Sequence, residues 1–197
     1  CRLVRSSTQQ SSSADTRVLC ALNRFRLALY RALSALESCV MNTYSGTTTI
    51  SAGSLSIGNG GTTGTLGTGG IVNNATLIFN RSDDVVLGNS LSGAGNLIKQ
   101  GGGRLTLAGP TGTAYSGEIT ISAGTLQIGN GGTTGSIGSG DVINNASLVF
   151  DRSDFLAIQN VISGTGSVTK RGAGLLALSA GNSFLGGLFV EEGTVGV

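Results

Sequence analysis

Residues 44–64 read YSGTTTISAGSLSIGNGGTTG, and residues 115–135 read YSGEITISAGTLQIGNGGTTG. Seventeen of the twenty-one positions are identical, at an offset of 71 residues. The match runs on. Asn73-Asn74-Ala75 returns as Asn144-Asn145-Ala146, and Phe79-Asn80-Arg81-Ser82-Asp83 returns as Phe150-Asp151-Arg152-Ser153-Asp154. A third copy starts at Asn182, at an offset of 140 from Asn42, and runs to Val197. Self-similarity at a fixed period is the mark of a repeat architecture.

Within each unit a shorter pattern recurs: a Gly-rich or small-residue turn, then a polar residue, Leu, a variable residue and an apolar one. It occurs at Ser54-Leu55-Ser56-Ile57 and Thr76-Leu77-Ile78-Phe79, in weaker or shifted form at Asn96-Leu97-Ile98-Lys99 and Arg104-Leu105-Thr106-Leu107, and again in the second unit. Alternation of period two predicts strands with one buried face. Gly and Asn between them predict corners, because both accept left-handed backbone angles cheaply. The leucines step by 22 (55 to 77), 20 (77 to 97) and 29 (97 to 126). Such steps are too short for a strand, a crossover helix and a second strand. They suit the coils of a parallel β-solenoid. On this reading a 71-residue unit is three coils, with Leu105 and Leu107 on a second face of the third. Leu55, Leu77, Leu126 and Leu148 point inward, Gln127 points outward, and Asn73/Asn74 and Asn144/Asn145 form amide ladders at the corners.

Composition agrees. The chain has 34 Gly, one Pro, no Trp and no His, and 11% of its residues are charged. Gly does not fall at every third position, which excludes collagen. Regularly recurring Leu, Ile and Val with low net charge disfavour disorder. Residues 42–197 hold six basic and eight acidic residues, so they carry no electrostatic footprint for nucleic acid.

Residues 1–41 are a different segment, Ser- and Arg-rich, with six Arg against Asp15 and Glu37 and with all three cysteines, Cys1, Cys20 and Cys39. Three cysteines without a C-x-x-C spacing give neither a disulfide framework nor a metal motif. Leu22, Phe25, Leu29, Leu33 and Leu36 follow helical spacing, and Arg17, Arg24 and Arg31 share the opposite face, which predicts one amphipathic helix over 18–41. Arg24, Arg26 and Arg31 interrupt it too often for a membrane span. Two readings of this segment stand side by side. It caps the end of the repeat array, or it lies outside the functional protein through a misassigned start or frame. The domain expectation is therefore 1–41 as a separate segment and 42–197 as repeats, in units 42–112, 113–181 and a partial 182–197.

The phrases NTYSGTTTISAGSLSIGN and SGTGSVTKRGAGLLALSAGNSF resemble the autotransporter-associated β-strand repeat of Gram-negative outer-membrane autotransporters. The resemblance covers residues 42–197. It departs in a first linker, Ala108 to Ala114, two residues longer than the second, and in Phe184-Leu185-Gly186 standing where Tyr-Ser-Gly stands earlier. The resemblance implies an all-β, right-handed parallel β-helix (solenoid). It also implies a passenger fragment exported to the cell surface, anchored through a C-terminal outer-membrane β-barrel that lies outside this chain.

Candidate chemistry is sparse. Gly58 to Gly64 lacks the Lys-Ser/Thr ending of a phosphate loop and is read as a structural loop. Asp83 and Asp84 are adjacent carboxylates, as acid–base chemistry uses, but position 84 becomes Phe155 in the second copy. Asp83 and Asp154 follow Arg-Ser in both copies and are read as turn formers or partners of Arg81 and Arg152. Glu191-Glu192 reads as a solvated turn. The GGxGxD motif of calcium rolls is absent. Three Asn-x-Ser/Thr triplets, at Asn74, Asn80 and Asn145, read as coincidence. Tyr44, Tyr115 and Phe184 recur at one repeat position and read as packing beside a corner. No catalytic, cofactor-binding or metal-binding set is expected. The leading function is a structural or adhesive passenger. The alternatives are a carbohydrate-active β-helix enzyme, which needs carboxylates or basic residues gathered on one face, and a glycan- or host-protein-binding module, which would show as an exposed aromatic stripe.

Overall fold

A computed structural model describes residues 42–110 and 114–197. The helix expected over 18–41 lies outside the described residues. Those that are described form eighteen short strands, every pairing parallel, wound as a solenoid. The first coil carries β1 (Thr48–Ile50) and β2 (Ser54–Ile57), and the second carries β3 (Ile71–Asn73), β4 (Thr76–Asn80) and β5 (Val85–Leu87). The third holds β6 (Leu91–Ser92), β7 (Asn96–Gln100) and β8 (Arg104–Leu107), and the fourth β9 (Ile119–Ile121) and β10 (Thr125–Ile128). Then come β11 (Val142–Asn144), β12 (Ser147–Asp151) and β13 (Leu156–Ile158). The last are β14 (Ile162–Ser163), β15 (Ser167–Arg171), β16 (Leu175–Leu178), β17 (Leu188–Val190) and β18 (Thr194–Gly196).

The strands stack into three faces. Face II is β2-β4-β7-β9-β11-β14, and face III is β5-β8-β10-β12-β15-β17. Face I begins as β1-β3-β6 and ends as β13-β16-β18. Between them Tyr115 bridges Gly93 from above, and Ser139 N–H donates to the Tyr115 carbonyl at 2.9 Å. Asn160, just after β13, closes the column by donating Nδ2 to the carbonyls of Gly138 (3.2 Å) and Gly140 (2.6 Å). The result is about seven coils, or roughly 30 Å of rod at ~4.8 Å per coil.

Alternation along each strand builds the core. On face II, Leu55, Leu77, Leu97, Ile119, Val142 and Ile162 lie one above another. On face III the same is true of Val85, Leu105, Leu126, Leu148, Val168 and Leu188. Leu77, Leu126 and Leu148 are fully buried, as their spacing predicts, and Leu55 in the first described coil is half-buried against the same core. Phe79 and Phe150 are also interior.

One expectation needs correction. A unit is three coils plus one further face. Leu97 pairs with Ile119, a step of 22, and Leu126 pairs with Leu105, a step of 21. The apparent step of 29 from Leu97 to Leu126 is one coil up and then seven residues round a corner. Consequently β1, β9 and β17, which occupy the same place in successive copies, lie on faces I, II and III. Leucine spacing alone could not reveal this, because an apolar strand looks the same whether it continues a column or starts the next one.

The corners carry the second correction. Asn73 and Asn144 are fully buried, but they stand on different corners and form no ladder with each other. Each ties its own turn to the coil above. Asn73 Nδ2 donates to Asn96 O at 2.9 Å and its Oδ1 accepts from Ala75 N at 3.3 Å; Asn144 does the same with Ser167 O (2.8 Å) and Ala146 N (3.2 Å). Asn89 and Asn160 act in the opposite sense, each giving both amide hydrogens to carbonyls of the coil below.

Replacing Leu126 by Ala is expected to cost about 2–5 kcal/mol in urea denaturation, since it leaves a cavity in a closed stack. Leu55→Ala should cost less, because Leu55 is only half-buried. Equal losses at the two positions would contradict the packing.

Candidate functional site

The charged residues singled out by the sequence occupy turns, and the folded chain uses them there. In the Arg81-Ser82-Asp83 turn, Arg81 Nε and Nη2 grip both carboxylate oxygens of Asp83 at 2.8 and 2.6 Å, while Nη1 donates to the Gly64 carbonyl of the coil below. Arg152 repeats this with Asp154 at 2.8 and 2.6 Å, with Gly135 O at 2.5 Å, and adds Thr133 O at 2.6 Å. The pairing expected from the repeated Arg-Ser-Asp is present in both copies. The arginine hydrogen bond is the first cause holding each aspartate carboxyl below its ordinary value, against a smaller opposing effect of burial.

These arginines hold the Gly-rich loops. Gly60 N and Gly131 N donate to Asn80 O (2.8 Å) and Asp151 O (3.0 Å), and Ser82 N and Ser153 N donate back to Gly61 O and Gly132 O, both at 3.0 Å. Gly58 has φ +84°, and a Cβ there would come within 2.5 Å of the Asn80 carbonyl, so the position requires glycine. The loop is thus tied by hydrogen bonds to the turn of the next coil.

Asp84 and Asp83 have separate partners, Asp83 being held by Arg81 of its own turn. Asp84 Oδ1 accepts the backbone N–H of Arg104 in the next coil at 2.9 Å. Glu191 pairs with Arg171 across coils at 2.5 Å, an exposed bridge of small energetic weight, and Glu192 lies in the same exposed turn. Among the described residues no three His, Cys, Asp or Glu side chains gather to hold a metal, and no helix is long and apolar enough to cross a membrane, which says nothing of β-barrels.

Two interior lysines were not foreseen. Lys99 and Lys170 are each 2% exposed, directly above Phe79 and Phe150. Lys99 Nζ donates to the carbonyls of Gln100 (2.8 Å), Gly101 (2.8 Å) and Ala123 (3.1 Å). Lys170 Nζ donates to Arg171 O at 2.5 Å, to Gly172 O and to Glu192 O at 3.5 Å. Burial pushes both ammonium pKa values down, opposed at Lys99 by Asp84 and at Lys170 by Glu192 and Asp151. The available signal was periodicity: both lysines stand at an inward position of the x-Leu-x-apolar pattern.

Tyr115 is buried, its hydroxyl donating to Gly95 O at 2.7 Å, and burial pushes its pKa up. Tyr44 and Phe184 are half-buried, and Phe184 packs on the core, so the recurring aromatic position is a corner contact and forms no exposed stripe. Gln127 departs from expectation. It points away from the core yet is 3% exposed, its Nε2 donating to Gly129 O at 3.0 Å and to Asp151 at 3.2 Å. Its replacement by Ala therefore orphans two acceptors.

Comparison with known proteins agrees with this geometry. A family model, the passenger-associated-transport-repeat, matches residues 41–57, 97–128 and 168–197. The repeat is an autotransporter passenger repeat. The chain is also 37% identical over 187 aligned residues to the adhesin BmaC autotransporter of Brucella suis biovar 1 (strain 1330), a match covering 74% of this chain. The chain matches only 5% of that relative's length. No solved structure matches it.

Three outcomes follow for the passenger repeat. Replacing Arg81 by Ala frees the Gly64 carbonyl and should cost about 1–3 kcal/mol, with faster amide exchange confined to residues 58–64. Because the folded pKa values of Asp83 and Asp154 are depressed, their contribution is complete above the ordinary value of 3.8 and is lost as pH falls through the folded values. Chemical denaturation at pH 5 and at pH 2–3 should show that loss, and Asp83→Asn with Asp154→Asn should flatten it. Lys99→Met, although more apolar, should destabilise, since three carbonyls lose their donor at about 1–3 kcal/mol for each one left buried.

Proposed function

We propose that residues 42–197 serve as part of an exported, non-catalytic adhesive rod, the passenger of an autotransporter. In the full-length protein a C-terminal outer-membrane β-barrel domain would anchor that rod at the bacterial surface. The observation that carries this reading is the passenger repeat realised as a solenoid whose charged side chains are spent on turns and corners. The similarity to an autotransporter named as an adhesin supports the adhesive role. The physics suits export. Each coil buries its core only against its neighbours, so a chain threaded unfolded across a membrane can fold coil by coil on the far side. Cysteine plays no part, since residues 42–197 contain none. The repeats form a unit separate from residues 1–41.

Surface display tests the proposal. Residues 42–197, placed as passenger ahead of an autotransporter barrel, should become accessible to protease and antibody on intact cells and should raise adherence to epithelial cells or matrix. Retention inside the cell, or display without any gain in adherence, would overturn it. The displayed rod should not hydrolyse polysaccharides. Folding of residues 42–197 without residues 1–41, read as a β-dominated circular dichroism spectrum and one cooperative transition, checks the domain division.

A further inference from the structure

The Gly-rich loops carry side chains that the fold does not use. Asn59 and Thr62 in the first loop, and Asn130 and Thr133 in the second, are exposed. Their side chains make no hydrogen bond within the described residues. Gly58, Gly60 and Gly64, and their counterparts Gly129, Gly131 and Gly135, are required by their positive φ, but nothing in the rod requires an amide or a hydroxyl at the Asn and Thr positions. Nevertheless all seven residues of Gly58–Gly64 return unchanged at Gly129–Gly135. Other solvent-facing positions of the same two units have diverged: Thr47 becomes Glu118, Asp84 becomes Phe155 and Ser90 becomes Val161. Identity is retained in the loop where packing does not demand it, as it is at the exposed pairs Ser45/Ser116, Ser51/Ser122 and Ser82/Ser153, and lost at those three other positions.

We propose that these loops are the contact surface of the rod and that they bind an uncharged, hydroxyl-rich glycan. This rests on the adhesive reading above and gives it a ligand class. The chemistry comes from the exposed groups, which would hold sugar hydroxyls by hydrogen bonds and not by the stacking that an exposed aromatic stripe gives. A primary amide donates and accepts, a threonine hydroxyl does both, and neither is charged or apolar, which matches the alternating donors and acceptors of sugar hydroxyls. An anionic ligand would need a cation. The nearest ones, Arg81 and Arg152, are turned inward, occupied by Asp83, Asp154 and loop carbonyls. The loops are also held rigid by those arginines and by four backbone bonds, so little ordering entropy is lost on binding.

Repeat phase then sets the valency. The first loop leaves β2 on face II and the second leaves β10 on face III, so the loops project from different edges. They are one-third of a turn apart and about 16 Å apart along the rod, at ~4.8 Å per coil. A flat surface meets one of them, whereas a flexible or branched polymer reaches both and gains by effective concentration.

The test uses the full 197-residue chain on an array of uncharged hexose and N-acetylhexosamine oligosaccharides, with sialylated and sulfated counterparts, and on immobilised uncharged polysaccharides. Binding to at least one uncharged glycan is expected. Asn59→Ala with Thr62→Ala, or Asn130→Ala with Thr133→Ala, should weaken binding to the polymer by about tenfold or more through lost avidity. The four together should abolish it, with melting temperature unchanged and with Phe155→Ala binding as the parent does. Binding to no uncharged glycan, preference for charged glycans, undiminished binding by the fourfold variant, or a self-association that vanishes in that variant would each overturn the proposal. Displayed cells separate the two readings. If the fourfold variant adheres as well as the parent, the loops are not the contact surface while the passenger reading stands. If the parent itself does not adhere, the adhesive reading falls.

Discussion

Parallel pairing of each coil with the one beneath it is the constraint from which the other features follow. A coil has no hydrophobic core of its own. Its inward Leu, Ile, Val and Phe become buried only when the next coil closes over them, and its backbone donors and acceptors are satisfied by the same event. Two requirements result. The chain must return to the same azimuth every 20 or so residues, and it must turn three corners without leaving buried polar groups unpaired. Glycine supplies the turning, as at Gly58. Asparagine supplies the satisfaction, with Asn73 and Asn144 reaching upward and Asn89 and Asn160 reaching downward.

Five of the six cations of residues 42–197 obey the same constraint, Arg104 with its buried, unpartnered Nε being the exception. Arg81 and Arg152 bind loop carbonyls of the coil below, Lys99 and Lys170 bind carbonyls of their own corner and of the coil above, and Arg171 crosses to Glu191. A buried ammonium is costly unless every donor is used. The corner meets that condition because tight turns direct several carbonyls to one point. These residues are coil-to-coil ties, which is why a count of charges says little about the chemistry available on the surface.

Much of this was legible in the sequence. Period-two alternation locates the strands and the inward set Leu55, Leu77, Leu126 and Leu148, and the repeated Arg-Ser-Asp announces its own ion pair. What escaped reading has physical causes. Leu97 to Leu126 gave a step of 29 because one sequence spacing merged a rise along the axis with a passage round a corner. Gln127 occupied an outward position, and no pattern distinguishes an exposed outward residue from one held by a loop carbonyl and Asp151. Lys99 stands in an apolar column with no local sign of what accepts its charge, since the carbonyls come from Gln100, Gly101 and the distant Ala123. The candidate site was the least legible part: the titratable residues that draw attention in a sequence proved structural, and the unbonded Asn and Thr of the loops draw none.

Because a unit comprises three coils and one face, the number of units acts as a gear. Removing or inserting one complete repeat leaves every local contact intact, yet turns everything beyond it by one-third of a revolution relative to everything before it. Three repeats restore the original bearing. In a long rod, recombination between near-identical copies would thus change not only reach but also heading. A distal module could be brought to face the cell, its neighbour or the medium without a single substitution.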